Sequence, residues 1–389
     1  MTPPTLPLTT PLRADLLRGA LELEATEIGI RPHRLPAWAR AQAADPQILM
    51  AEAQPSGVRI VAATEATAIE LVVLATRYGY RGAPARPDGV FDLLVDGALH
   101  SQASLRTATT VVTDMATGET VVEAAQPEAL RFDNLPVGPK TLEIWLPTHE
   151  ALELVELRSD APVVPVPAEA PAWLHHGSSI SHGSNATHPT GTWPAIAART
   201  AGVELTNLGF GGGALLDPFT ARTMRDTPAD LLSIKMGINL VNADLMRLRA
   251  FGPAVHGFLD TVRDGHPDTP LLVITPILCP IHEDAPGPGA FDMEALARGE
   301  LRFIATGDPA EVAHGRLTLA VIRRELERIV RERQATDPHL HLVDGLSLYG
   351  LADVDAHPLP DALHPDAATH RLMAERFVAL AFGEGRPFA

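Results

Sequence analysis

The chain has 389 residues, 46% apolar and 20% charged, which suits a soluble globular protein of two domains, or of one domain with a large appendage. A formal net charge of −17 argues against nucleic acid or an anionic membrane as the principal partner. Cys279 is the only cysteine, so no intrachain disulfide can form, and no apolar run approaches membrane-spanning length. The first twenty residues lack a basic stretch followed by an apolar one, so a cytoplasmic protein without membrane insertion is expected.

Residues 1–12 are rich in Pro and Thr and are expected to fray. From about residue 16 to 158 the pattern is short strands with turn signals. Residues 58–62 and 69–76 are rich in β-branched side chains. Residues 90–95 run into Asp96-Gly97, a favoured tight-hairpin dipeptide, and 98–100 continue beyond it. Val111, Val112, Val121 and Val122 flank a Thr117-Gly118 turn, and 141–146 and 152–157 read as two more strands. Regular short strands without helical periodicity predict an antiparallel, jelly-roll-like β-sandwich over 1–159. It shows no titratable cluster or metal-ligand spacing. It is read as a structural or pocket-shaping domain, with a carbohydrate-binding module as the alternative. Residues 160–172, DAPVVPVPAEAPA, form a Pro-rich and semi-rigid linker.

From residue 173 to 389 strands and helices alternate, the signature of a parallel sheet with crossover helices. Strands are expected at 172–175, 203–208, 230–236, 271–277 and 341–343. Helices are expected at 193–200, 243–263 with a break near Gly252-Pro253, 312–333 and 365–382. Residues 282–308, rich in Pro, Gly and acids, are too long for an ordinary connection and read as a lid or a mobile loop.

In such a sheet, ligands bind beyond the carboxyl ends of the strands. Four polar landmarks fall there: Gly177-Ser178-Ser179-Ile180 after the first strand, the loop 207–213 after the second, Gly237-Ile238-Asn239 after the third, and Asp361–His364 before the last helix. Together they supply what acyl transfer needs. A serine hydroxyl is a poor nucleophile until a base removes its proton, and His364 can do so near neutral pH. A carboxylate on the other ring nitrogen fixes the tautomer and stabilises the imidazolium, a role that suits Asp361. An oxyanion needs preorganised donors, and the backbone N–H groups of Ser179 and Gly212 with the side-chain amide of Asn239 are the candidates.

Other readings of these residues are less demanding. Ser181 and Ser184 fit helix-start caps. His175, His176, His182 and His188 do not share one regular face and have no acid nearby, so no metal is expected. The acids of 282–311 lack the spacing of a calcium loop and read as a solvated face. Gly209–Ala214 fits a dinucleotide fingerprint, but it follows the second strand, and the nearest acid at the right distance, Asp230, precedes the next strand. No cofactor is therefore expected. Cys279, beside Pro280 after an apolar strand, reads as a packed residue.

The second half resembles the SGNH hydrolases, also called the GDSL lipase/esterase family, over roughly 173–382. The family's G-D-S-[LI] block matches Gly177-Ser178-Ser179-Ile180, and its second-block glycine matches Gly212, or Gly211 if the loop aligns one residue earlier. Its G-x-N-D block matches Gly237-Ile238-Asn239-Leu240 and its D-x-x-H block matches Asp361–His364. Ser178 and Leu240 replace acids of the family pattern, and since those acids support structure rather than chemistry, activity should survive. The resemblance implies a flavodoxin-like three-layer α/β/α domain, here preceded by the sandwich, as in a two-domain subgroup that includes an acyltransferase; some carbohydrate acetyl esterases share a similar layout. It implies a small-molecule ester or thioester substrate, and either water or an alcohol as acceptor.

Overall fold

A computed structural model describes residues 5–114 and 117–389; residues 1–4, part of the expected frayed end, lie outside it. By internal contacts the chain forms two compact units. The first comprises the residues up to Pro36, Glu52–Glu169 and Thr187–Thr190. The second comprises Ala37–Ala51, Ala170–Ala186 and Gly191–Ala389. The division is thus not a single cut: a short piece of each half of the sequence is built into the other unit.

The first unit holds an eight-stranded and a six-stranded sheet. Alternation decides their faces. In Ile69–Tyr80, Ile69, Leu71, Val73 and Ala75 are buried and the residues between them are partly exposed. They meet Phe91, Leu93, Leu142 and Ile144 of the other sheet in one apolar core. Among the described residues pairing is antiparallel except between Ile69–Tyr80 and Thr109–Thr113, which run parallel. Asp96 and Gly97 adopt φ of 48° and 77°, the left-handed pair a two-residue hairpin needs, between Val90–Val95 and Ala98–Ser104.

Two expectations are corrected here. Leu8–Thr10, within the stretch expected to fray, pairs as a strand with Glu150–Ser159. Part of the stretch expected to be a semi-rigid linker is built into a sheet, because Val163–Pro165 pairs with Arg59–Thr64. Asp160 anchors its start by accepting from the Thr67 N–H at 2.8 Å and the Ala68 N–H at 3.2 Å.

The second unit is built on five parallel strands, numbered here within their sheet: β1 (Ala172–Gly177), β2 (Glu204–Gly209), β3 (Leu231–Lys235), β4 (Leu271–Ile274) and β5 (Leu340–Val343). Their order, β2-β1-β3-β4-β5, reverses direction once. Right-handed crossovers then put helix Trp193–Ala201 on one face and helices Pro218–Asp226, Leu248–Gly265 and Leu319–Arg333 on the other. The last helix, Ala367–Ala381, packs on Trp193–Ala201. The result is the flavodoxin-like three-layer α/β/α architecture.

Strand β1 is buried on both faces, as a central parallel strand must be. Trp173 stacks on Phe377 at 5.3 Å on one side, and His176 stacks on Phe258 at 5.9 Å on the other.

Three helix and loop expectations shift. Pro253 does not break Leu248–Gly265. It removes one backbone donor in the second turn, while buried Phe251, Val255, Phe258, Leu259 and Val262 hold the helix on the sheet. The helix expected from 312 starts at Leu319, because Gly315 turns left-handed (φ 87°) and Thr318 caps a new start, accepting from the Val321 N–H at 3.2 Å. Within 282–308, Gly289–Phe291 and Phe303–Ala305 pair as an antiparallel hairpin, with Phe291 and Phe303 in ring contact at 5.1 Å.

Candidate active site

Strand β1 ends at Gly177, whose backbone leaves no room for a side chain: a Cβ there would lie 2.3 Å from Ser181 Oγ. The chain turns at once into the short helix Ser179–His182. Ser178 is its N-cap, accepting from the Ile180 N–H at 3.4 Å. Serine is a cap of the same quality as aspartate, so Ser178 does here the local work that an aspartate would. Ser181 and Ser184 do not cap this helix start. Ser181 lies inside the helix, with its hydroxyl 2.7 Å from His175 Nε2, and His175 Nδ1 lies 2.7 Å from Ser233 Oγ on β3. The carbonyl of Ser184 is 3.0 Å from His370 Nε2. The buried chain through His175 fastens the Ser179 turn to the sheet. Burial holds His175 well below the ordinary histidine range, so it is neutral.

The structure brings together Ser179, His364 and Asp361. His364 Nε2 is 2.9 Å from Ser179 Oγ, and His364 Nδ1 is 2.7 Å from Asp361 Oδ2. Asp361 Oδ1 accepts from the N–H groups of Leu363 and His364 at 3.0 and 2.7 Å, and Asn185 Nδ2 donates to Oδ2 at 3.3 Å. Ala362 carries the turn in left-handed backbone (φ 66°), strained for a residue with a Cβ.

Burial pushes the Asp361 carboxyl up, but its bond to His364, the charge there and the two N–H groups outweigh this and hold it below the usual carboxylate value. An ionised Asp361 can only accept, so His364 Nδ1 carries the hydrogen and Nε2 is left to accept from Ser179.

The loop after β2 comes to the same place. A Cβ on Gly211 would lie 3.9 Å from that of Ser179. The Gly211 N–H donates to His182 Nδ1 at 3.1 Å, which occupies it. The Phe210 and Gly213 N–H groups donate to Gly177 and Phe210 carbonyls, and the Ala214 N–H donates to Asn239 Oδ1 at 3.1 Å. Among the described residues no acceptor takes the Gly212 N–H. Of the two glycines the sequence leaves open, Gly212 is therefore the one with a donor to spare. Gly237 (φ 133°) turns β3 into helix Ile238–Asn242 and sets Asn239. Because Asn239 Oδ1 is fixed by the Ala214 N–H, the amide is oriented and its Nδ2 remains to donate.

The other histidines of the segment go to separate partners: His176 Nδ1 donates to the Leu208 carbonyl at 2.7 Å, and His188 Nδ1 lies 2.8 Å from Asp92. Cys279 is buried, and burial pushes its thiol up to about 12, which suits a packed residue. Residues that sequence reasoning missed also meet here. Phe303 sets its ring edge-on to His364 at 5.7 Å, and Gln47 donates to the Gly211 carbonyl at 2.7 Å. Two short apolar runs inside a polar insertion, each with a phenylalanine, were the readable signal for the hairpin. Gln47 and Asn185 carried no sequence signal.

Residues 172–279 match the model of the GDSL-like lipase/acylhydrolase family. No curated protein matches the chain. Among solved structures, the salicylyl-acyltransferase SsfX3 from a tetracycline biosynthetic pathway is 26% identical, with 96% of this chain and 94% of that one covered and a TM-score of 0.74. A GDSL-like lipase from Bacteroides ovatus is 18% identical, with 94% of each chain covered and a TM-score of 0.66. A family two carbohydrate esterase from Clostridium thermocellum, solved with cellohexaose, is 16% identical, with 83% of this chain and 91% of that one covered and a TM-score of 0.55. The last two share the fold. No helix among the described residues is long and apolar enough to cross a membrane.

Proposed function

We propose that Ser179 is the nucleophile, His364 the general base and acid, and Asp361 the orienting carboxylate of a GDSL-like, SGNH-type acyl-transfer enzyme. The chemistry of the protein is acyl transfer or ester hydrolysis. The assignment of roles rests on one observation above all: the unbroken hydrogen-bonded line from Ser179 Oγ through His364 to Asp361. Ser179 Oγ attacks the acyl carbon as His364 Nε2 takes its proton, and the oxyanion sits before the donors of Ser179, Gly212 and Asn239. His364 gives the proton to the leaving alcohol or thiol, leaving Ser179 acylated. An incoming hydroxyl then attacks the acyl carbon, losing its proton to His364, which returns it to Ser179 as the acid or new ester departs. Asp361 stays ionised throughout.

With water as acceptor the protein is a carboxylic ester hydrolase, which is the main reading. A second reading, transfer to an alcohol of a small molecule or sugar, is favoured by the likeness along nearly the whole chain to an acyltransferase. Phe303, edge-on to His364 at 5.7 Å, also places an apolar side chain beside the base, which favours exclusion of water. The sandwich is assigned to 1–159 without 37–51 and with 187–190, and the catalytic domain to 173–389 with 37–51 and without 187–190, in a cytoplasmic protein that acts on a small-molecule ester or thioester. Short-chain nitrophenyl esters, with and without added alcohol, test it. Nitrophenol release that Ser179→Ala abolishes supports the assignment, and the fate of the acyl group separates hydrolysis from transfer. Full activity in Ser179→Ala sinks it.

A further inference from the structure

The peptide that joins Gly211 to Gly212 carries the spare donor of this site, and its other end is held by a side chain from far away in sequence. Gln47 Nε2 donates to the Gly211 carbonyl oxygen at 2.7 Å. That oxygen and the Gly212 N–H belong to one planar trans peptide, so they point in opposite directions. Fixing the oxygen on Gln47 therefore directs the Gly212 N–H away from Gln47. Donation to the carbonyl also polarises the peptide and makes its N–H a stronger donor.

We propose that Gln47 is a positioning residue for the Gly212 oxyanion donor, an inference that rests on Ser179 being the nucleophile. The contact is closely built. Gly212 has φ 76°, and a Cβ on it would lie 2.9 Å from Gln47 Cγ, so both backbone and space require glycine there. Next door, a Cβ on Gly213 would lie 3.2 Å from Cγ1 of buried Ile48. The helix Pro46–Ala53 that carries both residues starts at Asp45, whose Oδ1 accepts from the Gln47 N–H at 2.9 Å. The rest of the segment is seated too: Gln42 is hydrogen-bonded to Arg222, and the Arg222 guanidinium lies 5.0 Å over the Trp38 ring. With the Gly211 N–H on His182, Gly211 is held at both its N–H and its carbonyl by side chains.

The test compares an aryl ester with its thionoester, in which sulfur replaces the carbonyl oxygen and accepts hydrogen bonds poorly. A donor aimed at the oxyanion favours the oxygen ester, whereas loosened folding slows both alike, and the ratio of the two rates on one sample does not depend on how much protein is folded. In Gln47→Leu, kcat for the oxygen ester should fall about 10-fold or more, short of the roughly 100- to 1000-fold loss of a whole oxyanion donor. KM should stay within about twofold, and the oxygen-to-thiono rate ratio should fall in step with kcat. Gln47→Glu, of equal length but with no N–H to give, should lower the ratio as well. An unchanged ratio in both variants, with Ser179→Ala inactive, overturns the role of Gln47 and leaves the serine assignment standing. Turnover by Ser179→Ala would instead remove the assignment itself.

Discussion

The backbone N–H of Phe303 donates to the carbonyl of Asp361 at 2.9 Å, so the hairpin of the long insertion is tied to the same turn that holds the carboxylate. Its ring then covers one side of His364. Part of the insertion that reads in sequence as a lid or a mobile loop is thus a hairpin packed beside His364. Phe303→Ala keeps the N–H bond and removes only the ring. With a nitrophenyl ester and a fixed alcohol concentration, the fraction of acyl groups lost to water should rise relative to the wild type, and product analysis measures it directly.

Asp361→Asn should be far more damaging. An amide can donate to Nδ1, which would leave His364 with its hydrogen on Nε2, facing Ser179, where it cannot accept. A fall in kcat of about 10⁴-fold is expected, by analogy with the same change in a serine protease triad. Steady-state rates over a series of pH values provide a second check. Because its partners hold Asp361 below the usual carboxylate value, the wild-type carboxylate stays ionised across the range in which histidines titrate.

Ser178 caps the short helix Ser179–His182, its hydroxyl accepting from the Ile180 N–H. Ser178→Ala should lower stability by about 1 kcal/mol, the usual cost of losing an N-cap, with kcat reduced far less than in Asp361→Asn. Thermal or denaturant unfolding, run beside an ester assay, separates the two. A collapse of kcat with stability unchanged would show that Ser178 takes part in the chemistry.

Asp217, which precedes helix Pro218–Asp226 without a side-chain capping bond, gives a stability prediction with a sign. Burial, then the charge of Asp45, push its carboxyl up to about 6. The folded state therefore holds this proton more tightly than the unfolded chain, whose value is near the ordinary 3.8. The stabilising effect of that proton is fully present below about 4 and lost as pH rises through about 6. Asp217→Asn removes this loss, so the difference in unfolding temperature between variant and wild type should grow from pH 4 to pH 7. A constant difference across that range would contradict the account.

Much of the site was legible because its parts are local. Each strand-end motif carries its own turn: Gly177 before Ser179, Gly237 before Asn239, and a three-residue step from Asp361 to His364. The parallel sheet then brings the motifs to one edge, since β1, β2 and β3 end in register at Gly177, Gly209 and Lys235. What the sequence could not show is contact across long separations. Gln47 sits in a region whose pattern reads as sandwich, and nothing in its neighbours announces that 37–51 pack in the second unit. Pro253 misleads for a related reason: a local helix-breaking signal is outweighed by buried side chains that only the folded sheet supplies.

The proposed mechanism requires a covalent acyl group at one hydroxyl. Protein mixed with an aryl ester, quenched within the first turnovers and digested, should show the acyl mass on the peptide that contains Ser179, and none at that position in Ser179→Ala. An acyl group found on another residue, or steady turnover by Ser179→Ala, would contradict it.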